Sequence, residues 1–205
     1  TVGANNINVT GMVVGTNTVN VTGNVNIEEE YIYISGGTFN VSGDFSIGKK
    51  GGVDENGKRL ATSSGYLSLH AYNSKGGILN VEGNFEVCSS AASYLKAGEL
   101  NVKGNFAQYG THGTEGTEYA LGNILKSTES HSTKLIFCGE ESQSIYFESP
   151  NNVFYDMIFQ NPQIELRSDI AAYYFSIEQD TTFTFADGDY GMTGQLYRDI
   201  ENENE

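Results

Sequence analysis

The sequence predicts an all-β protein, more specifically a single-stranded parallel β-helix (β-solenoid) with coils of about 20 residues and a less regular C-terminal cap. Three observations predict it. A seven-residue block recurs along the chain, apolar and polar residues alternate strictly within the block, and the composition favours strands and tight turns over helices.

The repeated block consists of an apolar residue, Asn, Val, any residue, Gly, any residue and a second apolar residue. Five copies are near-identical: INVTGMV (7–13), VNVTGNV (19–25), FNVSGDF (39–45), LNVEGNF (79–85) and LNVKGNF (100–106). A degraded copy begins at Leu135. The central glycines are Gly11, Gly23, Gly43, Gly83, Gly104 and Gly139. A fixed internal layout in so many copies indicates stacked structural units, because one such unit cannot bury its apolar face alone.

The spacings between successive central glycines are 12, 20, 40, 21 and 35 residues. We interpret the spacing of 40 as two coils, with YLSLHAY (66–72) as the intervening rung. A β-propeller or β-sandwich is the structural alternative, but it requires hairpin turns every ~8 to 12 residues. A period of about 20 fits one solenoid coil of two or three short strands.

Alternation within the block predicts which side chains point inward. Phe39, Val41 and Phe45 share one parity with the central Gly43, and the polar residues share the other, so the apolar set faces the core. The glycine is expected at a bend where a side chain would not fit. Stacked coils would place equivalent residues over one another. The expected aliphatic column is Val9, Val21, Val41, Val81 and Val102, and the expected polar ladder is Asn8, Asn20, Asn40, Asn80 and Asn101.

The parallel arrangement makes a sharper prediction about one pair of charges. Glu82 and Lys103 are the outward residues before the central glycines of two successive copies. If those copies are neighbouring coils, the two side chains face each other across one rung. Antiparallel neighbours in a β-meander would give no reason for this pairing.

The chain divides into a repeat region and a less regular end. Residues 1–160 are predicted to form the solenoid, with loop excursions at 48–65 and 108–132, and the second excursion has room for one short helix over 118–127 at most. Residues 161–205 are predicted to be capping strands followed by a disordered acidic tail. The chain starts at Thr1 without a signal peptide, so we expect a mature fragment or a piece of a larger multidomain protein.

Composition excludes several function classes. The net charge of −15 disfavours nucleic acid and anionic membranes as partners. No apolar run approaches the roughly 18 residues of a membrane span, so we expect no membrane insertion. Cys88 and Cys138 are too few for a disulfide framework. They could form one bridge or remain two half-buried free thiols, and no Cys or His spacing suits zinc. No cofactor is expected.

The repeats and the segment SHSTKLIFCGEESQSIYFESPNNVFYDMIFQN resemble the Gly-rich repeat regions of large secreted or surface-attached proteins of Gram-positive bacteria. Those repeats look like GGTLNVNGDF and close with G-x-H-x-x-x-L-x-F-x-G-x-x-x-Q-x-I-x-F, followed by F-x-x-L-x-x-x-N. The matching residues are His131, Leu135, Phe137, Gly139, Gln143, Ile145, Phe147, Phe154 and Asn161. The glycine before the histidine is replaced by Glu129 or Ser130. The resemblance covers roughly residues 19–175 and implies an extracellular, multidomain setting without implying catalytic residues.

The sequence therefore predicts a non-catalytic extracellular β-solenoid module, a surface stalk, adhesive or binding scaffold, whose expected partner is carbohydrate or a host or cell-surface protein. The alternative is a polysaccharide-active enzyme (lyase or glycoside hydrolase) or a carbohydrate-binding module on the same fold. A glycosidase requires two converging carboxylates, whereas the outward acids Asp44, Glu82 and Glu86 lie in different columns. Ice binding would require a regular threonine array, which the repeats lose after the second copy. No catalytic or metal-binding residue is assigned.

Overall fold

The computed structural model describes residues 2–57, 59–91, 93–109, 133–148, 153–188 and 190–196. The described residues are all-β, with no helix, and most strands belong to one large parallel sheet. The predicted helix over 118–127, most of the excursion 108–132, His131 and the acidic tail lie outside the described residues.

The strands are β1 (Val2–Asn8), β2 (Met12–Val14), β3 (Thr18–Ile27), β4 (Tyr31–Ser35), β5 (Thr38–Val41), β6 (Phe45–Gly48), β7 (Lys50–Val53), β8 (Arg59–Ala61), β9 (Tyr66–Tyr72), β10 (Lys75–Val81), β11 (Phe85–Cys88), β12 (Tyr94–Leu95), β13 (Gly98–Val102), β14 (Phe106–Gln108), β15 (Thr133–Phe137), β16 (Gln143–Phe147), β17 (Val153–Phe159), β18 (Gln163–Leu166), β19 (Ile170–Ile177), β20 (Thr182–Phe185) and β21 (Met192–Leu196).

Successive strands stack in parallel to form a first column. Its members are the start of β3, then β5, β10, β13, β15, β17, β19 and β21. The register places like residues opposite each other: Val21 lies opposite Val41, Val41 opposite Val81, and Val81 opposite Val102. Phe137 of the degraded copy follows Val102 in the same position.

A second column runs beside the first. It contains the end of β3, then β6, β11, β14, β16, β18 and β20, again paired in parallel. In the second to fifth copies of the block, the chain passes from the first column to the second at the central glycine. A third column contains β2, β4, β9 and β12, also parallel. In the described part of the chain the third column ends at β12.

One hydrophobic cluster receives side chains from all three columns. The strand alternation predicted from the sequence places Phe39, Val41, Phe45 and Ile47 in this cluster, each at most 1% exposed. Register also stacks aromatic rings. The Phe45 and Phe85 centroids are 5.5 Å apart at 3°, and the Phe85 and Phe106 centroids are 5.4 Å apart at 8°. The offset contact of near-parallel rings adds to the free energy gained by burying them.

The polar residues of the blocks make a ladder along the outside of the first column. Asn40 Nδ2 donates to Asn20 Oδ1 at 2.7 Å, Asn80 Nδ2 to Asn40 Oδ1 at 2.7 Å, and Asn101 Nδ2 to Asn80 Oδ1 at 2.8 Å. The predicted charge pair is present, with Lys103 Nζ 2.8 Å from Glu82 Oε2. Both side chains are about half exposed, so solvent screening keeps their contribution small.

The first copy of the block departs from the predicted columns. Asn8 lies opposite Asn26 of the second column, not Asn20, and the Val9 backbone N–H donates to the Asn26 carbonyl. Gly11 has a φ of 82° and open space around it, so it forms a turn before β2 and does not stack on Gly23. The spacing of 12 residues is too short to complete a coil, because the next full coil takes 20 residues from Val21 to Val41.

The prediction that the spacing of 40 residues contains two repeats is wrong, because the two blocks that it separates are direct neighbours in the first column. Thr38–Val41 pair directly with Ile78–Val81, which leaves no rung between them. The segment 66–72 is β9 of the third column, where it pairs with β4. The excursion at 48–65 accounts for the extra length, and it contains the antiparallel hairpin β7–β8.

The predicted boundary at residue 160 does not coincide with a change of architecture. The strands β18, β19, β20 and β21 continue the first two columns in parallel. They lack the Asn-Val-x-Gly block but keep its alternation, with Ile164, Leu166 and Phe175 buried. Continued alternation is sufficient for stacking, so these strands extend the stack and do not form a separate cap.

Replacing Gly83 by Ala tests how closely adjacent coils approach. A Cβ on Gly83 would lie 2.6 Å from the backbone carbon of Gly43, whereas a Cβ on Gly52 of the exposed hairpin would meet nothing within 4 Å. We expect Gly83→Ala to lower the free energy of unfolding by about 2 to 3 kcal/mol. The matched control Gly52→Ala should change it by less than about 0.5 kcal/mol in urea unfolding. Equal effects of the two variants would contradict the close approach.

Replacing Asn40 by Ala tests the ladder. The change removes one bond donated to Asn20 and one accepted from Asn80, so we expect a loss of about 1 to 2 kcal/mol in unfolding free energy. Gln163→Ala is the control, because Gln163 is an exposed polar residue of β18 outside the ladder. If calorimetry gives the two variants the same melting temperature, the ladder does not stabilise the stack.

Candidate functional site

A groove with a volume of about 810 Å³ lies on the outer surface of the second column. Strands β11, β14, β16 and β18 supply its floor, and the hairpin β7–β8 stands along one side. Outward side chains of successive strands lie next to each other in rows because the pairing is parallel and in register. The groove is therefore lined by residues that are distant in sequence.

Polar contacts hold the hairpin in place. The Arg59 backbone N–H donates to Glu148 Oε1 at 2.9 Å, which connects the hairpin to the end of β16, and Arg59 Nη1 donates to the Gly51 carbonyl at 3.1 Å within the hairpin. Arg59 Nε is buried and has no hydrogen-bond partner in the described structure. Val53, at the groove rim, is 55% exposed. The excursion thus forms a side wall that presents both a cation and an apolar side chain.

A depression in the floor comes from one small residue. Glu86, Ala107 and Tyr146 occupy equivalent outward positions of three neighbouring strands. The methyl group of Ala107 leaves a gap between the larger side chains on either side. Asn105 and Ser144 form the adjacent row, in which the Ser144 backbone N–H donates to Asn105 Oδ1 at 2.8 Å.

An ion pair borders the depression on one side. Lys50 Nζ lies 2.6 Å from Glu86 Oε2 and 4.6 Å from the centre of the Tyr109 ring. Burial alone would lower the pKa of Lys50, but the hydrogen bond and charge of Glu86, with Tyr109, outweigh burial and raise it. Lys50 therefore stays cationic at neutral pH and covers one face of Tyr109.

Tyrosines dominate the aromatic lining. Tyr109, Tyr146 and Tyr190 all line the groove, and the Tyr109 and Tyr146 ring centroids are 5.6 Å apart at 54°. Burial raises the pKa of Tyr146, and the charge of Glu148 adds to the shift. The Tyr146 hydroxyl therefore remains protonated and able to donate a hydrogen bond at physiological pH.

The charges of the groove nearly balance. Its lining contains four carboxylates, Glu86, Glu148, Glu165 and Asp187, and two guanidinium groups, Arg59 and Arg167. Arg167 Nε lies 2.7 Å from Glu165 Oε2, and Lys50 neutralises Glu86. The groove thus offers many donors and acceptors with little net charge.

The three outward acids considered as catalytic candidates each have a partner in the stack. Asp44 Oδ1 accepts from the Asn84 backbone N–H at 2.7 Å, Glu82 pairs with Lys103, and Glu86 pairs with Lys50. Only Glu86 lines the groove described above. Within the described ranges, no three His, Cys, Asp or Glu side chains are grouped as a metal site.

The repeat residues predicted from the sequence lie away from the floor of the groove. The structure brings Asn20, Asn40, Asn80 and Asn101 together, with their valines inward, but separates Asn8, Val9 and Gly11 from them. Groove residues Lys50, Arg59 and Tyr109 carry no repeat signal. Tyr146 could be noticed only as one of several tyrosines near the degraded coils.

Two residues of the family-like pattern have structural contacts. Buried Gln143 donates from Nε2 to the carbonyls of Val102, at 2.9 Å, and Gly104. Buried Asn161 donates from Nδ2 to Gln143 Oε1 at 3.0 Å and to the Glu141 carbonyl at 2.8 Å. These amides satisfy backbone carbonyls at the corner between the columns, which accounts for Gln and Asn at these positions without a ligand.

A second aromatic surface lies on the third column. Tyr31 stacks on Tyr66 at 5.6 Å, and Tyr94 meets Tyr66 edge-on at 5.9 Å. His70 lies beside Tyr33, with ring centroids 4.6 Å apart, and its Nε2 is 2.8 Å from Ser68 Oγ. Because these rings pack on one another, much of their surface is used in stabilising the stack, so the groove is the stronger candidate site.

No protein-family model, curated protein or solved structure matches the chain. No helix in the described part of the chain has the length and apolar character needed to cross a membrane.

Both cysteines are free thiols, Cys88 buried and Cys138 half-buried. Burial raises the pKa of Cys88 to about 11, with a contribution from the charge of Glu86, and burial also raises the pKa of Cys138. Reactivity depends on the thiolate, so both groups are poor nucleophiles at neutral pH.

Alkylation tests this assignment. With iodoacetamide at pH 8 and no reductant, the folded protein should show little labelling at Cys88, because roughly 0.1% of that thiol is ionised. After denaturation, mass spectrometry should show two added groups. Failure to label either cysteine in the denatured, unreduced chain would indicate a disulfide and contradict the structure.

Proposed function

We propose that the chain is a closed, single-stranded parallel β-solenoid that serves as a non-catalytic extracellular stalk or adhesive module within a larger secreted or cell-surface protein. The shared hydrophobic cluster of the three columns supports closure, because side chains from all three sides pack on the same core. The resemblance to surface-protein repeats supports the extracellular setting.

The observation that carries the proposal is the continuous parallel pairing of the first column. Its eight strands, from β3 to β21, each pair in parallel with the next, and the register shifts only in the last pairing, between Ala171 and Tyr174 of β19. At ~4.8 Å per strand, they extend over about 34 Å. Backbone bonds, stacked phenylalanines and the asparagine ladder all run along this axis, so a coil cannot move without breaking contacts to both neighbours. Such an element suits a spacer that presents a surface.

The groove supports an adhesive role in addition to a spacer role. It combines three tyrosines with mixed donors and acceptors on an otherwise acidic protein. Carbohydrate recognition uses this combination, because sugars offer apolar C–H faces and dense hydroxyl groups. A host or cell-surface protein is the other partner class that an exposed side groove can accept. The net charge of −15 disfavours nucleic acid.

A polysaccharide lyase or glycoside hydrolase is the competing function, because Glu86 and Glu148 line the same groove. A glycosidase requires one protonated and one ionised carboxyl group. Glu86 Oε2 lies 2.6 Å from Lys50 Nζ, so this carboxylate is already held in an ion pair with the hairpin. A carboxylate engaged by a neighbouring cation is not free to approach a glycosidic oxygen, which favours binding over hydrolysis.

A glycan array paired with a polysaccharide-degradation screen tests the proposal. We expect the purified chain to bind at least one glycan class on the array and to release no reducing ends or unsaturated products from the same glycans. Heat-denatured chain is the control for nonspecific adsorption. Release of products that disappears in Glu86→Gln or Glu148→Gln would overturn the non-catalytic assignment.

A further inference from the structure

We infer that the groove beside the β7–β8 hairpin binds an uncharged oligosaccharide, with one sugar ring seated over Ala107 against Tyr146. The inference rests on the proposed function and deepens it, because it assigns a ligand class and a location to the adhesive surface. Three features carry it: the shape of the depression, the aromatic lining and the balance of charge.

The shape suits a short segment of a chain-like ligand. A volume of about 810 Å³ falls within the range of roughly 300 to 1,000 Å³ that is typical of small-molecule sites. The floor is a regular sheet, so the groove runs across several strands and does not close over its contents. Ala107 has the smallest side chain of its row in the floor, with Glu86 on one side and Tyr146 on the other.

The aromatic lining provides an apolar contact beside polar groups. Lys50 covers one face of Tyr109, and the Tyr109 ring contacts that of Tyr146, so a ligand can use the parts of Tyr146 and Tyr190 that line the groove. Tyrosine offers both a ring face for sugar C–H groups and a hydroxyl for hydrogen bonding. Around the depression, Asn105, Ser144 and the Lys50–Glu86 pair supply donors and acceptors suited to sugar hydroxyls.

The charge balance selects against polyanions. The four carboxylates of the lining outnumber its two guanidinium groups, and Lys50 and Arg167 already have carboxylate partners. A uronic acid or sulfated chain would meet a slightly negative groove on a protein of charge −15. A basic peptide would gain from the overall charge, but it would have to compete with Lys50 and Arg167 for Glu86 and Glu165. An uncharged sugar meets neither obstacle.

Calorimetric titration with cellohexaose, xylohexaose and mannohexaose tests the inference, with hexagalacturonate and hexalysine as charged comparisons. We expect at least one neutral probe to bind, with an affinity that changes less than about twofold between 50 and 500 mM NaCl. Binding between oppositely charged partners weakens over that range of salt concentration because salt screens their attraction. Tyr146→Ala should weaken the neutral probe by about tenfold or more, since it removes the stacking ring.

Two further variants make the result specific to the groove. Ala107→Leu fills the depression with an outward side chain and should also weaken binding by about tenfold. Tyr72→Ala is the matched control, because Tyr72 is 54% exposed on the third column and should leave affinity unchanged. Circular dichroism of all three variants checks that they remain folded.

The outcomes separate this inference from the proposed function. Neutral binding that Tyr146→Ala and Ala107→Leu both weaken supports the site. No binding of any neutral probe, tight binding of hexagalacturonate or hexalysine alone, or binding insensitive to both groove variants overturns it. If the chain binds another glycan on the array through another surface, the site inferred here is wrong but the adhesive function stands. Catalytic turnover of a glycan would contradict the proposed non-catalytic function itself.

Discussion

The close approach of neighbouring coils at the central glycines determines the rest of this structure. The central glycines of neighbouring copies lie very close together. A Cβ on Gly83 would lie 2.6 Å from the carbonyl carbon of Gly43, and a Cβ on Gly104 would lie 2.5 Å from that of Gly83. Their backbones also bond directly, from the Gly83 N–H to the Gly43 carbonyl and from Gly104 to Gly83. Once these glycines are superposed, the valine two residues before and the phenylalanine two residues after must also superpose. The core and the asparagine ladder follow from that register.

The same register arranges the outward side chains in rows along the stack. These side chains can differ from strand to strand without disturbing the core. In the first column one outward row is uniform from Asn20 to Asn101, and its asparagine amides bond to each other. In the second column, the row containing Glu86, Ala107 and Tyr146 is irregular, and this irregularity creates the depression. Inward positions are constrained by packing density, whereas outward positions are constrained only by what each side chain contacts. A binding site is therefore expected where an outward row loses its repetition.

The sequence was sufficient to predict the parts of the structure that repeat. Alternation and period predict the inward valines and phenylalanines, and direct stacking predicts the pair of Glu82 and Lys103. Two predictions that depended on spacing alone were wrong. The first copy of the block, with Gly11, is shifted to another column, and the 40-residue interval contains an inserted hairpin. Neither change alters the local alternation of apolar and polar residues, so the sequence pattern does not reveal it. The groove was not predictable, since Lys50 and Arg59 come from the inserted hairpin and Tyr109 and Tyr146 from two coils separated by 37 positions. Only three-dimensional register brings them together.

The location of the groove makes the proposed spacer role compatible with the proposed adhesive role. Its lining residues project from the side of the stack, and the strands that carry them keep their backbone bonds to the coils before and after. A ligand seated there does not interrupt the axial contacts, and a change at Tyr146 or Ala107 removes no core side chain, because both point outward. The inserted hairpin has the same property: it adds a wall to the groove, while the strands before and after it, β5 and β10, remain directly paired. Recognition can thus be changed through side-facing residues and insertions, while stability is retained by the columns.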